Sequence, residues 1–246
     1  MKTFYLTDTG KVRSHNEDSV IITKNPAGDY LMAVADGMGG HSAGEVASSL
    51  TITHLSKCFN ESFCSMEKSK AVEWLREMAT EINDLIFKYA KDHPESKGMG
   101  TTLVCAIVTN DYVLMGNIGD SSGFVVKEEQ IHKVTYDHTL VNLLLKAGEL
   151  SPEEAKDHPK KNVLMKALGA NNPIDIDIFD CDMDIDAILL CSDGLTSMLE
   201  KEQIEKVILS ELEIEDKVIK LIRKSNNRGG NDNISIAYLE FSEREE

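Results

Sequence analysis

Three β-prone runs, Thr101 to Thr109, Tyr112 to Ile118 and Gly123 to Lys127, follow one another with only Asn110-Asp111 and Gly119 to Ser122 between them. A parallel pair needs a crossover of about a dozen residues or more, so neighbours this close must run antiparallel. Ser19 to Thr23 and Tyr30 to Ala35 repeat the arrangement, and further runs lie at Thr3 to Thr7, Ile174 to Ile178, Ala187 to Cys191 and Ile234 to Phe241. These are enough for two antiparallel sheets.

Helical patterns lie outside those groups. Ala71, Leu75, Met78, Ile82, Leu85, Ile86 and Tyr89 step by three and four to make one apolar stripe. Further helices are expected from Glu45 to about Cys58, from Glu202 to Leu209 and from Glu215 to Lys224. Strands grouped without a helix after each predict an α+β fold. The architecture expected is a four-layer αββα sandwich, two antiparallel β-sheets packed face to face and flanked by helices. Residues 1–246 read as one domain with a flap inserted at about 137–172. The flap holds a short apolar helix pattern (Leu140, Val141, Leu144, Leu145), a Ser151-Pro152-Glu153-Glu154 helix start and the run from His158 to Asn162. Between Asp175 and Asp186 acidic residues alternate with apolar ones, and the apolar parity reverses after Ile178, which predicts a bulge or turn near Phe179.

A chain of 246 residues with 41% hydrophobic content can bury a single sizeable core. No apolar run approaches the roughly 18 residues that cross a bilayer, and Met1 to Phe4 leads into mixed polar sequence without a secretion signal. A cytoplasmic location with no membrane partner is expected. The five cysteines are odd in number and lack C-x-x-C spacing, so neither a disulfide framework nor a zinc site is expected. The net charge of -16 argues against nucleic acid as a partner.

Some of that negative charge stands in unusual places. Acidic residues sit at strand ends beside glycine in Val34-Ala35-Asp36-Gly37, Ile118-Gly119-Asp120-Ser121, Cys191-Ser192-Asp193-Gly194 and Gly230-Asn231-Asp232-Asn233. One Asp-Gly pair is an ordinary turn signal. Four such carboxylates, converging from separate strands, would repel one another unless a cation lay between them. Oxygen ligands without an H-E-x-x-H helix or a cysteine pair point to the hard ions Mg²⁺ or Mn²⁺. Arg13 stands four residues before the pair Glu17-Asp18, where its planar fork suits a phosphoryl group.

Taken in order, Asp8 to Asp18, Val34 to Glu45, Gly98 to Leu103, Gly116 to Ser121, Leu189 to Leu195 and Gly229 to Ser235 resemble the metal-dependent protein phosphatase family PP2C, and most of all its bacterial branch. The resemblance implies hydrolysis of phosphoserine and phosphothreonine in proteins, by a water between two metal ions and without a covalent phosphoenzyme. It implies two or three Mn²⁺ or Mg²⁺ ions, with Asp36 bridging two of them, the Gly37 carbonyl on one, and Asp193 and Asp232 completing the other. Glu17 would hold a metal directly or through water, with Asp18 behind it. Asp120 with Asp193 matches the place of a third metal, and Arg13 matches the phosphate-binding arginine. Phosphorylated proteins, among them a Ser/Thr kinase of the same cell and its substrates, would be the partners of a monomeric enzyme.

The chain departs from common family patterns at Met38, where many eukaryotic members carry a histidine as leaving-group acid, and at Ser122, where arginine is usual. His41 lies close by and is read as a turn residue rather than as that acid. Lys160 and Lys161 leave two readings open, contact with the phosphopeptide or a solvated basic patch. No H-C-x-x-x-x-x-R loop is present, so no cysteine is expected to act as nucleophile. The rival reading is a catalytically silent domain that binds phosphoproteins as a regulator, which fold alone would not distinguish.

Overall fold

The computed structural model describes residues 1–40, 43–156 and 158–241, and His41 lies outside them. Its strands are β1 (Lys2–Asp8), β2 (Asp18–Lys24), β3 (Tyr30–Met38), β4 (Gly100–Thr101), β5 (Leu103–Val108), β6 (Val113–Ile118), β7 (Ser122–Lys127), β8 (Gln130–Lys133), β9 (Asp177–Cys181), β10 (Ala187–Cys191) and β11 (Ile234–Glu240). One sheet has the order β1-β11-β10-β7-β8 and the other β2-β3-β5-β6-β9, with β4 paired to the end of β3. Every strand pairing is antiparallel.

Side-chain alternation divides the interior into three apolar layers. On β3, Met32 and Val34 face the space between the sheets while Leu31, Ala33 and Ala35 face the helices, and on β5 Val104 and Ala106 split from Leu103 and Cys105 in the same way. On β10 and β11, Ile188, Leu190, Ala237 and Leu239 fill the inter-sheet layer, whereas Leu189, Ile236 and Tyr238 point outward. Both sheets are therefore apolar on both faces, and each needs a helical cover. Helices α1 (Ala43–Ser62) and α2 (Lys68–Asp92) cover the β3 sheet, where Trp74 of α2 packs edge-on against Phe59 and Phe63 at ring-centroid distances of 6.2 and 5.2 Å. Between β8 and β9 lie the short helices α3 (Leu140–Lys146) and α4 (Pro152–Lys156). After the single turn α5 (Asp193–Thr196), helices α6 (Lys201–Ile208) and α7 (Ile214–Asn227) cover the β11 sheet through Ile204, Val207, Val218 and Leu221. The four-layer αββα sandwich expected from the sequence is the one observed.

One expectation needs correction, and one strand was missed. No bulge or turn forms at Phe179: β9 runs through it in unbroken register with β6, Met115 opposite Phe179, and the chain bends only after Cys181. The acidic parity is tolerated because Asp180 meets Lys68, at the start of α2, at 2.6 Å. Strand β8 was not foreseen, because its hairpin turn places Glu128 and Glu129 at φ 53° and 58°, where Asn-Gly is the usual signal.

Candidate metal centre

Antiparallel pairing brings the acidic strand ends to one edge of the sandwich. Asp18 opens β2 directly opposite Asp36 near the end of β3. Asp120 follows β6, and Asp193 follows β10 at the first position of α5. Because β11 runs antiparallel to β10, Asp232 just before β11 returns to the level of Asp193. The two sheets are tied together here. The Ser192 hydroxyl donates to Asp18 Oδ2 at 2.7 Å and accepts from the Ser235 N–H at 2.9 Å.

Burial pushes the Asp36 carboxyl well above its ordinary range, and Asp18, Asp193 and Asp120 add to the effect. Burial likewise raises Asp18 to about 7, against the opposing hydrogen bonds of Ser192 and Ser235. Asp120 is also raised to about 7, by burial first and then by Asp193 and Asp137. Asp193 is raised by burial and by Asp232, while a hydrogen bond with Asp36 works the other way. Glu17 is raised mainly by burial, with Arg13 opposing. The cation at the rim is Arg13, whose guanidinium donates to Asp232 Oδ2 at 2.8 Å while half of the side chain stays exposed. Partial burial works against its charge, yet Asp232 outweighs that and holds it cationic.

The residues that hold this edge in shape were mostly missed by sequence reading. Asn233 accepts from the Glu17 N–H at 2.8 Å and donates to the carbonyls of Thr9 and His15 at 2.9 Å each, so one amide fixes the whole Arg13 loop. Asp8 receives the N–H of Gly10 at 2.8 Å and the Asn226 amide at 3.0 Å. Ser48 of α1 donates to the Glu17 carbonyl at 2.6 Å. Gly37 and Gly44 are required by close approach: a Cβ on Gly44 would lie 2.8 Å from the Gly37 carbonyl carbon and 2.9 Å from Glu17 Cδ. His138 closes the Asp120 side, its Nδ1 accepting from the Gly119 N–H at 2.9 Å and its N–H donating to the Gly119 carbonyl at 2.9 Å. Several of these are polar residues beside motif positions, a pattern that carries no signal until the partners are known.

The chemistry of the donors fits a hard divalent cation. The aspartates and Glu17 at this edge offer carboxylate oxygens, and Asp18 Oδ1 is buried with no hydrogen-bond partner. The carboxylates form an open arrangement, with Asp232 turned to Arg13. Among the described residues, three donor atoms all within 4.8 Å of one another occur elsewhere, at His54, Cys58 and Glu81 on α1 and α2. Met38 packs beside Gly100, where a Cβ would come within 2.7 Å of its methyl carbon. Ser122 is buried at the start of β7. Lys160 and Lys161 are exposed in the segment between α4 and β9. No helix among the described residues is long and apolar enough to cross a membrane.

Comparison with known proteins adds an independent line. The family profile described as Protein phosphatase 2C matches residues 10–234. The chain is 39% identical to the Listeria monocytogenes protein named serine/threonine phosphatase stp, over 96% of this chain and 94% of that one. It is 36% identical to the Streptococcus pneumoniae protein phosphatase PhpP, over 100% and 99% of the two chains. Among solved structures, the S. agalactiae serine/threonine phosphatase superposes with a TM-score of 0.93 at 37% identity, covering 98% of this chain and 99% of that one. The Mycobacterium tuberculosis serine/threonine phosphatase PstP/Ppp follows the same fold with a TM-score of 0.86 at 30% identity, covering 98% of each chain.

Proposed function

We infer the chemistry of the acidic edge from one premise: this chain belongs to the protein phosphatase 2C family, and it is a protein serine/threonine phosphatase. The reaction is hydrolysis of phosphoserine and phosphothreonine esters in proteins, reversing the work of a serine/threonine kinase in the same cell. The observation that carries the site assignment is the convergence of buried Asp18 with half-buried Asp36, Asp120 and Asp193 at one edge, drawn from both sheets, with Arg13 at the rim.

Asp36, Asp193 and Asp232, with the Gly37 carbonyl, would hold two Mn²⁺ or Mg²⁺ ions; Glu17 lies beside them, and Asp120 with Asp193 would hold a third. Such ions, when bound, activate a water and orient it for in-line attack on phosphorus. The protein supplies position and exclusion. Asp18, anchored by Ser192, stands behind Asp36 and keeps its strand end in place. Asn233 fixes the loop that presents Arg13, and the exposed half of that guanidinium is free to pair with phosphate oxygens as a planar fork. The apolar Met38 offers no proton, so the proton for the leaving serine or threonine oxygen must come from another group or water at the site. Cysteine chemistry is disfavoured, since burial pushes Cys105 and Cys191 up to about 12 and keeps them as thiols.

The test is phosphate release from a phosphothreonyl peptide with Mn²⁺, with Mg²⁺ and with EDTA. Turnover that requires the ion and spares a phosphotyrosyl analogue is expected. Undiminished turnover in EDTA would overturn the metal assignment.

A further inference from the structure

The α1–α2 pair carries a second cluster of metal-ligating chemistry, remote from the acidic edge. His54 and Cys58 stand four residues apart on α1, so both project from one face of the helix. Cys58 Sγ lies 3.6 Å from His54 Nε2, and that nitrogen lies 3.1 Å from Glu81 Oε2 on α2. The three donor atoms fall mutually within 4.8 Å. Sequence alone predicts no zinc site, because no cysteine pair is present; the third ligand arrives only when α2 packs beside α1.

We propose that His54, Cys58 and Glu81 form a site for a borderline-soft divalent cation of the Zn²⁺ class, clamping α1 to α2. One thiolate, one imidazole and one carboxylate are a donor set that Zn²⁺ accepts in tetrahedral geometry, with solvent as the fourth ligand. The hard ions suited to the acidic edge have little use for sulfur, so the two sites sort cations by donor type. Access is open: the His54 and Glu81 side chains are 29% and 54% exposed. Binding balances as the exchange of one proton, since the Cys58 thiol gives up its hydrogen as the sulfur–metal bond forms. Burial, with Glu81 and Glu61, raises the Cys58 pKa, so the metal-free cluster holds a thiol that the cation must displace. His54 stands ten positions along α1 from Gly44, which packs against Gly37, about 15 Å of helix. The clamp therefore fixes the far half of the helix whose first turn shapes the acidic edge.

Cobalt titration of the whole protein in excess Mg²⁺ tests the site, because thiolate-to-Co²⁺ charge-transfer absorption reports sulfur ligation that an all-oxygen centre cannot give. The expected result is a band that saturates at one equivalent in the wild type and in Cys64→Ser and Asp36→Asn. It should vanish in Cys58→Ser, and in His54→Ala and Glu81→Gln it should shift to higher Co²⁺ concentration. No band in the folded wild type, or an undiminished band in Cys58→Ser, would overturn the proposal. Loss of the band in Cys64→Ser alone would do the same.

Discussion

Just before β11 stands Asp232, close to Asp193 and Asp36; at the strand's end stands Glu240, whose Oε1 meets Lys217 of α7 at 2.6 Å. Lys217 keeps only 11% of its side chain exposed, and its ammonium lies 6.0 Å from the Tyr238 ring centroid. Nearby, Lys127 bridges Asp182 and Asp184 at 2.8 and 3.0 Å. Glu240, Asp182 and Asp184 thus have lysines as partners, and they need no external cation. At the other end the protein provides Arg13 at the rim and leaves the buried aspartates facing one another. A carboxylate is structural at one end of this strand and calls for an external cation at the other, and the neighbours decide which.

The comparison breaks most sharply at Asp36. Replacing it with asparagine should lower peptide phosphatase activity on the order of 10²–10³-fold, the scale on which one preorganised electrostatic group is felt. The fold should survive, since asparagine has the same shape and removes one carboxyl from a set that repel one another; circular dichroism and thermal melting would show this. Activity near wild type would break the contrast.

Asn233→Ala should come next. It leaves the N–H of Glu17 and the carbonyls of Thr9 and His15 without their partner, at a cost of about 1–3 kcal/mol in stability. Activity should fall too, because the loop that carries Arg13 loosens. A stability loss with unchanged kcat/KM would show that the loop is set by other contacts.

The pH dependence sharpens the same contrast. Asp18 and Asp120 are raised to about 7 from 3.8, so between those values the folded chain holds protons that the unfolded chain has released. Without a cation, their contribution is fully present below the unfolded pKa and is lost as pH rises through about 7. A cation prefers the ionised carboxylates and must displace those protons. The rise in Tm given by Mn²⁺ should therefore be small near pH 6 and grow through pH 7 to 8; an increment independent of pH would contradict it.

At the lysine end the expected effects are smaller. Lys217→Met should cost about 1–3 kcal/mol of stability by leaving Glu240 half-buried without its donor, with kcat/KM unchanged. Lys2→Ala, which removes an exposed pair with Glu213, should leave Tm unmoved. Loss of activity in Lys217→Met would show that the two ends are coupled.

The sandwich was legible because its β-prone runs follow one another closely and its hairpins leave no room for crossovers. Asp36, Asp120, Asp193 and Asp232 were legible from their places in short glycine-bearing segments, three just after an apolar strand and the fourth just before one. Asn233, Ser192, Ser48 and His138 were not, because their meaning lies in partners far along the chain: Ser192 and Asp18 are 174 residues apart. Strand β8 escaped because Glu128 and Glu129 occupy a turn that sequence reading reserves for Asn and Gly. Glu81 was invisible as a ligand for the opposite reason, being an ordinary glutamate on an exposed helix face until α1 brings His54 and Cys58 beside it.

The claim that the buried aspartates are completed by cations is tested most directly by calorimetric titration of Mn²⁺ into the wild type and Asp36→Asn at about pH 8. The account predicts two or more bound ions in the wild type and loss of the tight binding in the variant. Equal binding in both proteins would contradict it.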